Sequence, residues 1–190
     1  ITSALRWHVI RSGAVDRPLS RLALYYCGRY IEKTVNEDSG LEIRDGIKAT
    51  KDYGVPQEDE WPYDVSKFKV PPPKKVLDEG CLWSGLTYER VKTKTAWIKA
   101  ALSEGFPVVF GVSLYESFEH VKSDGLVKYP DPENEAELGG HCMLLVGYKS
   151  GRFIVKNSWG ASWGDRGYCY IPENYVSSAA LGAGDYWIIK

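Results

Sequence analysis

Two short apolar runs, Cys142 to Tyr148 and Arg152 to Lys156, are separated only by Lys149-Ser150-Gly151, and this spacing limits the fold more than any other feature. A return this short leaves no room for a crossover, so the two runs are predicted to pair as an antiparallel hairpin. His141 heads the first run, and Asn157 stands just beyond the second, nine residues after Tyr148. Antiparallel pairing delivers both to the same end of the sheet. An asparagine amide there can accept the imidazole N–H and fix its tautomer and orientation, the part played by the third group in a nucleophile–base–orienter triad. Gly139 and Gly140, immediately before His141, let another backbone approach.

The rest of the chain divides by pattern. Ile1, Ala4, Leu5 and Val9 share one face of a helix over residues 1 to 10. A second helix is predicted from Leu19 to about Lys33, with Leu22, Tyr25, Tyr26 and Tyr30 inward. Ser39-Gly40-Leu41-Glu42 reads as a capping box opening a third helix, which carries Ile43, Ile47 and Ala49 and is stopped by Gly54 and Pro56. Residues 55 to 90 are irregular. A short helix from Thr95 to Glu104 then leads into strands: Pro107 to Leu114, the hairpin, Gly167 to Ile171 and Tyr186 to Ile189. Helices first and strands second predict an α+β chain of two lobes, residues 1–91 and 92–190.

Charge and cysteine content exclude several functions. A net charge of -1 offers no electrostatic footprint for nucleic acid or an anionic membrane. No apolar run approaches the roughly 18 residues that span a bilayer. Cys27, Cys81, Cys142 and Cys169 are widely spaced, without a C-x-x-C pair, so no metal site and no cofactor is expected. Free thiols are expected rather than disulfides, with Cys142 and Cys169 facing the core. The acidic stretch Asp131 to Glu137 reads as a solvated loop that leads into the His141 corner, where it could favour basic side chains of a substrate.

The run Gly139-Gly140-His141 to Gly147-Tyr148, with Asn157-Ser158-Trp159-Gly160, Trp163-Gly164 and Gly167-Tyr168 behind it, resembles the histidine and asparagine motifs of papain-like cysteine peptidases of the bacterial type. Asn36 to Gly40, Tyr53-Gly54-Val55 and Trp61-Pro62-Tyr63-Asp64 are similar to the segment forming one wall of that family's substrate cleft. The resemblance implies a helical lobe and a β-rich lobe with the cleft between them. His141 and Asn157 would be catalytic, while Ser39, Gly40, Gly140 and Trp159 would contact substrate, with Trp159 shielding the His141–Asn157 bond. Polypeptides bound in extended form are the implied substrates, and a propeptide or inhibitor could occupy the same cleft.

One member of the implied triad has no counterpart. The family nucleophile precedes the histidine by roughly 130 to 150 residues, and residues 1 to 26 hold no cysteine. Cys27 falls mid-helix. With Ile1 in helical phase and Met143 the only methionine, the nucleophile is expected just upstream of Ile1. Two other readings stay open: a catalytically inactive peptide-binding module, and a related thiol amidase or transferase.

Overall fold

The computed structural model describes residues 1–80 and 85–190, which form two compact units, Ile1–Tyr88 and Glu89–Lys190. Cys81 lies outside the described residues. The first unit is helical: α1 (Thr2–Arg11), α2 (Arg21–Glu32), α3 (Ile43–Asp52) and the short α4 (Lys74–Glu79). The second carries β1 (Tyr88–Arg90, across the seam), α5 (Thr95–Ser103), β2 (Val108–Tyr115), α6 (Glu116–Glu119), β3 (Glu137–Lys149), β4 (Arg152–Lys156), β5 (Tyr168–Pro172), α7 (Glu173–Val176) and β6 (Asp185–Ile189). The class is α+β.

In the first unit α2 starts at Ser20, whose hydroxyl accepts the Ala23 N–H at 3.1 Å and donates to the Trp61 carbonyl at 2.7 Å. One buried side chain thus caps a helix and ties it to the irregular segment beyond α3. Two expectations fail here. Tyr30 is not inward but 58% exposed, because the helical period from Leu22 through Tyr25 and Tyr26 reaches Arg29, which is fully buried instead. Nor does Ser39 cap α3. Gly40 takes φ +82, which carries the chain out of helical geometry, and the helix begins at Ile43 with Glu42 as its N-cap residue. The Glu42 N–H that Ser39 would have helped to organise is instead taken by the Glu32 carboxylate at 2.9 Å.

In the second unit the described strands form one sheet in the order β1-β6-β2-β3-β4-β5, with antiparallel pairing from β6 through β5. The β3–β4 hairpin turns at Ser150 and Gly151, both at positive φ, the backbone twist that suits a tight return. On the core face of β2 and β3, Val108 sits opposite Leu145, Phe110 opposite Met143 and Val112 opposite His141. The three pairs form a period-2 row whose first five members are buried apolar side chains. His141 is therefore not at the head of its strand, as expected, but within it. β3 extends back to Glu137 because its pairing with β2 continues through the glycines.

Ser20→Ala is expected to cost about 1–2 kcal/mol, since it removes a helix cap and leaves the partly buried Trp61 carbonyl without this donor. Urea denaturation of the two proteins compared at equal m-value measures it.

Candidate active site

The β3–β4 register pairs Leu144 with Lys156. One step further puts Asn157 level with Met143, so His141 is its diagonal neighbour on the same face. The side chains meet: His141 Nε2 lies 2.9 Å from Asn157 Oδ1. The Ser158 N–H donates to the same oxygen at 2.8 Å, and a backbone N–H can only donate. That contact identifies the atom between them as the amide oxygen, so Nε2 must carry the proton. In the neutral ring Nδ1 then holds the lone pair. Asn157 is itself held from behind, its N–H donating to the Gly167 carbonyl at 3.0 Å.

The pair has an aromatic surround. The Trp159 ring lies 5.2 Å from that of His141, tilted by 39°. Phe118 meets Trp159 edge-on at 5.5 Å and stacks on Trp163 at 5.2 Å. Phe118 is 1% exposed and Trp159 is 38% exposed, so the cluster roots Trp159 in the core and leaves its outer face open. The short α6 supplies Phe118. No sequence pattern singles it out, because a four-residue helix has no periodicity to read.

Before the histidine, the β2–β3 register shifts between Leu114 and Tyr115, so that Leu138 is an extra residue on β3. Gly139 follows at φ +114, a conformation that side chains strongly disfavour. A Cβ at Gly139 or Gly140 would meet nothing within 4 Å. The glycines thus stand beside open space and do not serve close packing within the chain.

Of the residues singled out by sequence, His141, Asn157, Trp159 and Gly140 come together in the second unit. Ser39 and Gly40 lie on an exposed segment of the first. The cysteines differ from one another. Cys27, Cys142 and Cys169 are free thiols. Burial pushes Cys27 up to about 11 and Cys169 up to about 12. Cys142 is exposed rather than in the core, because it alternates with His141 and Met143 onto the opposite strand face. In the acidic stretch, Glu135 accepts N–H groups from Ser117 and Asp131, and Asp131 accepts the Asn134 amide, so these carboxylates are engaged by their own loop and by α6. Among the described residues no group of acids, histidines and cysteines could hold a metal ion, and no helix is long and apolar enough to cross a membrane.

Residues 3–190 match the model of the papain family of cysteine proteases. The chain belongs to that family. It is 42% identical over 183 residues to an uncharacterized peptidase C1-like protein of Acanthamoeba polyphaga mimivirus, a stretch covering 90% of this chain but only 58% of the viral protein. Among solved structures it is similar to xylellain, a cysteine protease from Xylella fastidiosa, with a TM-score of 0.88 and 34% identity over 100% of this chain and 76% of xylellain. The cysteine protease CMS1MS2 of Carica candamarcensis, solved in complex with E-64, shares the fold at a TM-score of 0.67 and 20% identity, over 100% of this chain and 85% of that one. The architecture is the papain-like α+β fold.

Burial holds the His141 imidazole below its ordinary value, and the Asn157 hydrogen bond partly offsets this. A ring that protonates less readily folded than unfolded stabilises the chain above the ordinary imidazole value of about 6.5. That contribution is lost as pH falls below it. NMR titration of the His141 ring should give a midpoint below 6.5. Asn157→Leu, which keeps the bulk but removes the acceptor, should lower it further.

Proposed function

We propose that this chain carries the base and orienting residue of a cysteine endopeptidase that cleaves peptide bonds through an acyl-enzyme, with the nucleophilic cysteine lying just upstream of Ile1. The observation that carries this reading is the Asn157 Oδ1 that holds Nε2–H and leaves the Nδ1 lone pair of His141 available. A structural histidine at the end of a core row has no need of a fixed tautomer, whereas a general base does.

In this scheme His141 Nδ1 takes the thiol proton, giving a thiolate–imidazolium pair. The thiolate attacks the substrate carbonyl. As the C–N bond breaks, the imidazolium passes its proton to the leaving amine, and a thioester remains. His141 then deprotonates a water that attacks the thioester, releasing the acid and restoring the thiol. Asn157 keeps the ring in register through both proton transfers, and Trp159 shields the His141–Asn157 bond from solvent. Ser39 and Gly40 receive the substrate's extended main chain by strand-like pairing. Gly140 contacts the substrate, with open space where a side chain would stand. A propeptide or inhibitor would use the same contacts.

The described cysteines support an upstream nucleophile. Cys27 and Cys169 are buried, the thiols of all three are held above their ordinary value, and Cys142 faces away from the His141 side of its strand.

The full-length protein should hydrolyse unstructured polypeptides only with its thiols reduced, and an epoxysuccinyl reagent should label one cysteine upstream of Ile1. His141→Ala should lower kcat roughly 100- to 10,000-fold and abolish the labelling. Residues 1–190 alone should be inactive; thiol-dependent turnover by that fragment would refute the assignment. A full-length protein with serine or glycine at the upstream position would instead be a binding module.

A further inference from the structure

Beneath the Ser39–Gly40 segment lies a charge that the reaction scheme does not use. Arg29, in the last turn of α2, is 0% exposed, and its partners are main-chain carbonyls rather than a carboxylate. Nη1 donates to Val35 O at 3.1 Å and to Glu37 O at 2.8 Å, while Nη2 donates to Phe68 O. The guanidinium lies over the Tyr25 ring, 4.0 Å from its centroid. Tyr25, one helical turn earlier, extends the grip outward: its hydroxyl donates to Asp38 at 2.5 Å and accepts the Gly40 N–H at 3.2 Å. Residues 35, 37, 38 and 40 are thereby held from below, in a stretch that forms neither helix nor strand.

Burying a cation carries a desolvation penalty that an apolar side chain at the same helical position would not incur. Hydrogen bonds to charged donors are also the strong ones, and a planar fork can bind several carbonyls in fixed directions. Such a group is suited to specifying a main-chain path. We propose that Arg29 and Tyr25 are positioning residues for substrate binding: they fix the 35–40 main chain so that Gly40 presents its backbone to an extended peptide. This rests on the reading that Gly40 receives substrate. The fit of the substrate chain depends on the pair, whereas the chemistry at His141 does not.

The two roles separate in one experiment on the full-length protein. Turnover of a fluorogenic peptide extending at least three residues before the scissile bond is measured beside the rate of thiol alkylation by iodoacetamide, which is too small to need the Gly40 segment. Tyr25→Phe keeps the ring under Arg29 and removes only the hydroxyl. It should raise KM about three- to tenfold while leaving kcat and the alkylation rate unchanged. Arg29→Lys should raise KM further, since a lysine cannot span the same carbonyls. If Arg29→Lys does not fold, Tyr25→Phe decides alone. An unchanged KM, or kcat and alkylation falling together as they would for a partly unfolded protein, overturns the inference while leaving the peptidase reading intact. A wild-type protein with neither turnover nor a His141-dependent reactive thiol overturns that reading itself.

Discussion

The antiparallel register of β2, β3 and β4 is the constraint on which the second unit depends. It aligns Val108 with Leu145, Phe110 with Met143 and Val112 with His141, so the row that fills the core ends on the imidazole. Side chains alternate along a strand. A pairing one residue out would turn Met143 and Leu145 to the other face, put Cys142 in their place and move His141 away from Asn157. Core and site therefore arise from one choice of register. The bulge at Leu138 and the positive φ of Gly139 help to hold that choice, because they fix where regular pairing with β2 breaks off.

Around the histidine, the polar requirements and the packing requirements fall to different residues. Asn157 answers the imidazole N–H, while Phe118 and Trp163 hold Trp159 against the ring. The same burial that shields the hydrogen bond holds the ring below its usual protonation point. Desolvation and a neutral acceptor thus pull in opposite directions, and desolvation is the larger.

Much of this was legible in the sequence. The hairpin, the helix spans and the meeting of His141 with Asn157 follow from a short return and two apolar periods. The failures have physical causes. Ser39 satisfies the capping-box spelling, but a box needs helical geometry directly after it, and Gly40 takes the left-handed conformation instead. Tyr30 looks apolar and reads as inward, yet phase rather than hydrophobicity chooses the buried position, and phase chooses Arg29. Charged residues are normally read as exposed, so no composition argument finds a guanidinium whose partners are carbonyls from distant segments. Phe118 and the exposure of Cys142 depend on tertiary packing: alternation separates Cys142 from His141, but only packing decides which face of the strand is covered.

The hydrogen bonds of the Arg29 anchor go to the main chain alone. It grips the carbonyl oxygens of Val35, Glu37 and Phe68, atoms that every amino acid supplies. The side chains of Val35 and Glu37 take no part in these hydrogen bonds, whereas the Phe68 ring also packs against the guanidinium, 5.3 Å from it. Charge, bulk and polarity at Val35 and Glu37 can be rewritten while the path stays fixed, whereas Asp38 is tied in through its own carboxylate, so the segment separates positions that build it from positions that display.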